Sequence, residues 1–261
     1  MSSSLAIQHL GPVGRITFNR PDRHNAFDDA LIAELIEALR SMEAEAAIRV
    51  VVLAGAGKSF SAGADLDWMK RMSGFSKEDN QRDAMQLAAL MRTLAELHKP
   101  TLARVHGAAY GGGVGLVACC DIAIGSRAAS FALSEGKLGL VPAVISPYVV
   151  AAIGERASRR YFLTAERFDA AEAWRLGLLH EVAADEAEMD RAIERIVAAL
   201  LECGPVAQRE AKQLVRAVAN RPIHSELLQD TAERIARIRS SPEGREGISA
   251  FLEKRRAAWR V

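Results

Sequence analysis

The chain has 261 residues, 49% of them hydrophobic and 26% charged, with a formal net charge of +1. That length suits one large domain or a core with a smaller appendage, and the composition is that of an ordinary globular protein. Near-neutral charge gives no ground for a nucleic-acid partner, and no run approaches the ~20 uninterrupted apolar residues of a membrane span.

The three cysteines, Cys119, Cys120 and Cys203, form neither a disulfide framework nor a metal-binding spacing. The opening Met-Ser-Ser-Ser-Leu-Ala has no basic region followed by an apolar one. A cytoplasmic location is therefore expected, without a leader. His24, His98 and His106 show no ligand spacing, so no metal is expected.

Leu5–Leu10 and Val13–Phe18 read as two strands joined by Gly11-Pro12. A turn-rich stretch over 19–25 follows. Asp28 or Asp29 can cap a helix reaching about Ala46, with Leu31, Leu35, Ile36 and Leu39 on one face. The β-branched run over 49–54 reads as a buried strand. Residues 59–67 read as a small-residue loop, and 68–80, which lack periodicity, as a mobile one. Helical spacing over 83–97 stops before Pro100. Thr101–Val105 reads as a strand, 107–113 as a glycine-rich loop, and 114–120 as a buried helix. Short strands are expected over 121–124 and 130–132. This alternation argues for a mixed α/β core over about 1–190. Residues 191–261 read as a helical region, with helices over about 189–202, 205–219, 225–238 and 242–258.

Three stretches can carry chemistry. Ser59-Phe-Ser-Ala-Gly63-Ala64-Asp65-Leu66 is either a tight turn that needs Gly63 or a backbone cradle for an anion or polarised carbonyl. Gly107-Ala-Ala-Tyr-Gly111-Gly112-Gly113 precedes the apolar helix. It serves either close helix packing or an anion site at the positive helix end. It matches neither a phosphate loop nor a dinucleotide fingerprint. Glu135 stands between apolar 131–133 and 138–141, as a solvated loop residue or as a buried carboxyl of raised pKa suited to proton exchange.

Taken together, Asn19-Arg-Pro…Asn25-Ala26, Ser61-Ala-Gly-Ala-Asp65, Gly107…Gly111-Gly-Gly113, Cys120-Asp-Ile122, Glu135…Leu138-Gly139 and the closing Phe251-Leu-Glu-Lys-Arg255 resemble the enoyl-CoA hydratase/isomerase (crotonase) superfamily. The resemblance implies an α/β fold of the crotonase-like (ClpP/crotonase) type, a spiral of ββα units followed by a C-terminal helical trimerisation region. It implies an acyl-CoA thioester substrate, with CoA part of the substrate and no separate cofactor, and self-assembly as a homotrimer or homohexamer. It also implies an oxyanion hole from the Ala64 and Gly112 N–H groups, with CoA along Ala62, Ala64, Asp65 and Leu66. Arg23 and Lys254, the latter from a neighbouring subunit, match positions that approach the CoA phosphates.

Hydratases of this family use two glutamates to position a water. Glu135 matches the second, whereas the first falls on Gly115. The Ala143 N–H matches a position that helps hold the water. One glutamate can still carry hydration, and it can also serve a 3,2-enoyl-CoA isomerase. A non-catalytic CoA- or RNA-binding relative is a third possibility. Residues 113–121 and 140–150 look like bacterial hydratases acting on 3-methylglutaconyl-CoA or its isohexenyl relative. On that resemblance, Gly115 is expected to free space and remove a negative charge for a branched, acidic acyl group. Tyr148 is expected to line the pocket or to pack in the core. Lys70, Arg71 and Arg82 are candidates for reading the distal carboxylate or plain surface charges.

Overall fold

The computed structural model describes residues 4–260. Two compact units are present: residues 1–97 with 101–194, and residues 98–100 with 195–261.

In the first unit, β1 (Leu5–Leu10) and β2 (Val13–Phe18) form an antiparallel hairpin, and α1 (Asp29–Ala44) follows. Asp28 caps α1 by accepting from the Leu31 N–H, and the expected face of Leu31, Leu35, Ile36 and Leu39 is buried. Three turns of a spiral come next. β3 (Val50–Gly55) joins a large sheet beside β2, and β4 (Ser59–Ser61) opens a small sheet; α2 (Leu66–Met72) and α3 (Lys77–Glu96) follow. β5 (Thr101–Val105) and β6 (Ala108–Tyr110) repeat the move beside β3 and β4, followed by α4 (Gly112–Cys119). β7 (Ile122–Ser126) and β8 (Ser130–Ala132) repeat it again, followed by α5 (Ser146–Thr164). β9 (Arg167–Asp169) closes the small sheet antiparallel to β8. After α6 (Ala170–Leu176), β10 (Glu181–Ala183) ends the large sheet beside β7.

The fold is thus the expected α/β spiral of ββα turns. From β2 to β10 every pairing in the large sheet is parallel. That explains why β3 and β5 are apolar without alternation, since both faces of such a sheet are covered. Arg104 is the charged exception on β5. Its buried guanidinium pairs with Asp190 at 2.6 Å and Glu186 at 2.9 Å. Phe18 of the large sheet meets Phe60 of the small sheet edge to face, with centroids 5.7 Å apart.

α7 (Glu186–Leu201) leads into the second unit, which holds α8 (Pro205–Val218), α9 (Ser225–Ser240) and α10 (Pro242–Leu252). There the Glu243 carboxylate accepts from the Val206 and Ala207 N–H groups, so α10 caps the start of α8.

Some expectations are corrected. The loop expected over 59–67 begins with strand β4, and the mobile loop expected over 68–80 is helical over most of its length. Caps explain the helices. Asp65 accepts from the Asp67 and Trp68 N–H groups, and Ser76 from that of Asp79. α2 buries only Trp68, which donates to Asp83 of α3 at 3.1 Å, so no apolar stripe announces it. The glycine-rich stretch contains β6. α5, α6, β9 and β10 had no counterpart in the pattern; α5 is interrupted at Gly154, whose φ is 78°.

One side chain pins the first turn of the spiral. Asn25, fully buried with φ 53°, donates to the Ala56 and Ser59 carbonyls at 2.8 and 2.7 Å and accepts from the Arg20 N–H at 2.9 Å. Asn25→Ala strands three backbone groups, that of Ser59 buried and those of Arg20 and Ala56 partly so, and favours a left-handed backbone less. Urea unfolding is expected to show a loss of roughly 3 kcal/mol or more.

Candidate active site

β4, β6 and β8 lie side by side and parallel, so their carboxyl ends share one edge of the small sheet. That edge is where parallel strands present loops to a ligand. The three segments leaving it are 62–65, 111–112 and 133–135, and they contain the residues singled out in the sequence.

The first two segments are pressed together. Gly63, with φ 87°, would carry a Cβ 2.9 Å from the Tyr110 carbonyl oxygen, and Gly113 a Cβ 2.5 Å from that of Ser61. Only glycine permits such an approach. The neighbouring N–H groups are spoken for: Gly63 donates to Ser61 Oγ, Asp65 to the Phe27 carbonyl and Gly111 to the Ala132 carbonyl. The Ala64 and Gly112 N–H groups have no acceptor among the described residues. Gly112 is also the first residue of α4, where the helix dipole is positive.

Asp65 holds this corner. Its side chain is 5% exposed and receives Arg23 at 2.9 Å and Arg20 at 3.3 Å, besides capping α2. Burial alone would raise its pKa. Arg23 and the Trp68 and Asp67 N–H groups outweigh that and hold the carboxyl below its ordinary range. Arg23 also pairs with Asp67 at 3.1 Å and remains half exposed.

Glu135 lies in the short 3-10 turn Ser134–Leu138 after β8. Its Oε1 sits 3.2 Å from where a Cβ on Gly111 would stand, and Gly111 has φ 51°. Its Oε2 is buried without a hydrogen-bond partner. Burial raises its pKa; the one opposing influence is its own N–H, and no charged side chain contributes. A desolvated carboxyl thus stands beside the loop that carries the free Gly112 donor.

The remaining expected residues are placed as follows. Ala62 is half-buried and donates to the His24 carbonyl, and Leu66 opens α2 with its side chain exposed. The Ala143 N–H donates to the Val141 carbonyl at 2.8 Å, so it is already engaged. Tyr148 is half-buried against the core cluster. Lys254 is exposed and belongs to the second unit. The free space expected at Gly115 is absent: Ile145 Cγ2 lies 2.3 Å from where a Cβ would be, so an apolar side chain already fills it. Arg71 and Arg82 are paired with Asp29 and Asp79, whereas Lys70 has no ion-pair partner among the described residues.

Sequence reasoning gave no role to Arg20, Asn25 or Ile145. An Asn followed by an apolar pair after a turn is a usable signal for a left-handed, backbone-bonding residue. Nothing in the sequence reveals that Ile145 reaches Gly115, 30 positions away.

A parallel-strand edge with free backbone donors and one desolvated carboxyl fits the crotonase type that the sequence motifs resemble. The Enoyl-CoA hydratase/isomerase family profile matches residues 10–261. An enoyl-CoA hydratase from Shewanella pealeana superimposes with a TM-score of 0.96 at 45% identity, over 98% of this chain and 96% of that one. An enoyl-CoA hydratase/isomerase from Marinobacter aquaeolei gives 0.93 at 35%, over 99% of both. The crotonyl-CoA hydratase of Syntrophomonas wolfei is 30% identical, over 92% of this chain and 91% of that protein. The chain belongs to the enoyl-CoA hydratase/isomerase family, within the crotonase superfamily.

Replacing Asp65 by Ala removes the α2 cap and leaves Arg20 short of an acceptor. Thermal unfolding is expected to show a loss of about 2–4 kcal/mol. Steady-state kinetics with an enoyl-CoA thioester are expected to show kcat down about tenfold or more as the Ala64 donor shifts.

Proposed function

We propose that this chain hydrates a 2-enoyl-CoA thioester, with Glu135 as its one acid–base group and the Ala64 and Gly112 N–H groups as its oxyanion hole. The observation that carries the reading is the Glu135 carboxyl, its Oε2 buried without a hydrogen-bond partner, beside two N–H donors that have no acceptor among the described residues. Family membership supplies the reaction class.

The steps balance on one carboxylate. Water oxygen bonds to C3 as Glu135 takes one of its protons, and the C2=C3 electron pair moves to make a C1 enolate. The two N–H groups hold the enolate oxygen, and the positive end of α4 adds to that field. Glu135 then returns the proton to C2, the carbonyl re-forms, and the product is the 3-hydroxyacyl thioester. A raised pKa suits a group that must both accept and donate near neutrality.

A 3,2-isomerisation is the second reading. One carboxylate suffices for it as well, shuttling a proton between C2 and C4. For the acyl group we carry forward a β-branched, acidic thioester of the 3-methylglutaconyl kind. Glu135 feels no second carboxylate, so a substrate carboxylate would meet one negative charge and not two; unpaired Lys70 on α2 is its candidate reader. CoA is read along Ala62, Asp65 and Leu66, with Arg23 and, from a neighbouring subunit, Lys254 toward its phosphates. Free cysteines suit a reducing cytoplasm. Self-assembly is read from α10, where Ile248, Phe251 and Leu252 are exposed.

Glu135→Gln is expected to lower kcat about 10²–10⁴-fold. In the wild type, kcat/KM falls toward acid through the raised Glu135 pKa, since only the carboxylate accepts the water proton. The sign for stability is opposite. The folded state holds this proton to a higher pH than the unfolded chain, so ionised Glu135 costs stability above the ordinary glutamate pKa. Glu135→Gln is therefore expected to raise Tm at pH 7. Undiminished turnover by this variant would remove Glu135 from the mechanism. Assays in ¹⁸O-water with crotonyl, 3-enoyl and 3-methylglutaconyl thioesters separate hydration, which incorporates the label, from isomerisation, which does not. Light scattering on the eluted protein is expected to give a multiple of three chains; a monomer would exclude the assembly.

A further inference from the structure

α4 carries glycine at 112, 113 and 115, and what excludes a side chain differs between them. At Gly113 it is backbone, the Ser61 carbonyl. At Gly115 it is another side chain. A Cβ there would stand 2.3 Å from Ile145 Cγ2 and 2.8 Å from Ile145 Cβ, with Met91 Cε at 3.3 Å. Ile145 is buried and directly precedes α5. The Gly115 N–H donates to the Gly111 carbonyl, so position 115 follows Gly111 by one helical turn. Gly111 is the residue that the Glu135 carboxyl flanks. The Gly115–Ile145 contact therefore lies one turn of α4 beyond the glycine that Glu135 flanks.

We propose that Ile145 is a specificity-determining residue of the Glu135 site: its branched side chain fills the place of a side chain at position 115 and gives the site a hydrocarbon wall in place of a second polar group. This rests on the reading of Glu135 given above. The Cβ of a glutamate at 115 would be pressed onto Ile145 and Met91, which are both apolar and buried, and a carboxylate brought into such surroundings is penalised. Glu135 is left as the one group that handles protons, and the reacting end of the substrate meets branched alkyl. Gly115 and Ile145 are thus a compensated pair, and neither can change toward a second carboxylate alone.

The test is a two-site cycle on the full-length protein, with Tm and the pH dependence of crotonyl-CoA hydration as readouts. Gly115→Glu alone is expected to lower Tm by several degrees and kcat/KM at least tenfold, as overpacking does. Adding Ile145→Gly, which removes both the Cγ2 and the Cβ contacts, is expected to recover at least half of the lost Tm. It should also add a second ionisation to the acid limb of the kcat/KM profile. Ile145→Val, which keeps the branch, should retain the wild-type profile. The proposal is overturned if Gly115→Glu keeps the wild-type Tm and kcat/KM, if the double variant fails to recover Tm, or if it recovers Tm with an unchanged acid limb. Wild type and Glu135→Gln are assayed alongside. An active wild type and inactive Glu135→Gln with a failing double variant overturn this inference alone, whereas a wild type that turns over no enoyl thioester overturns the functional reading and this inference with it.

Discussion

The buried Asp65 carboxylate is the interaction on which the site's geometry depends. Two pieces of chain converge on it, the 20–23 turn through two arginines and the start of α2 through its cap, and the Asp65 N–H ties the same residue to the Phe27 carbonyl. A charge so little exposed is tolerable only when this fully engaged. Once engaged, it leaves the preceding residue little freedom, and that residue carries one of the two free N–H donors. Asn25 performs the same service from the other side by tying the 19–27 segment to the carbonyls around β4.

The site then sets two carboxylates in opposite environments. Asp65 is held ionised by arginines and backbone donors, whereas Glu135 is desolvated with no charged partner, and its pKa is pushed up. Environments that pull two like groups apart separate their duties, one to hold structure and one to exchange protons. The second duty carries a cost, because an ionised buried carboxylate without a partner destabilises the fold that presents it.

Much of this was legible in the residues. The opening hairpin, the α1 stripe, the buried strands β3 and β5 and the C-terminal helices follow from periodicity, because burial against one partner imposes a simple period. α2 was not legible, since it buries only Trp68 and is held by the Asp65 cap rather than by an apolar face. α5 was hidden by its interruption at Gly154. At the site, the glycines and Glu135 stood out by type and spacing. Arg20 did not, because its role is a pairing across 45 positions, and no local pattern encodes it. The free space expected at Gly115 failed for the same reason. A glycine says that a side chain is excluded; it does not say whether substrate or a distant isoleucine excludes it.

That distinction bears on how such a site can change its chemistry. The free Ala64 and Gly112 donors are backbone groups, fixed by strand ends and by glycines packed against carbonyl oxygens; a Cβ on Gly112 itself would stand 2.2 Å from Phe27 Cζ, so a side chain there would displace its donor. They determine only that an oxygen gaining negative charge is held. On the proposed reading, which bond is made or broken depends on the side chains set around them, Glu135 and Ile145. Exchange of Glu135 breaks no hydrogen bond of its buried Oε2, which has no partner. Position 115 cannot be exchanged without repacking, since its volume belongs to a residue on another element. On that reading the proton chemistry is open to change by single substitution at one point and closed at the other, and a gain of a second polar group requires two coordinated changes.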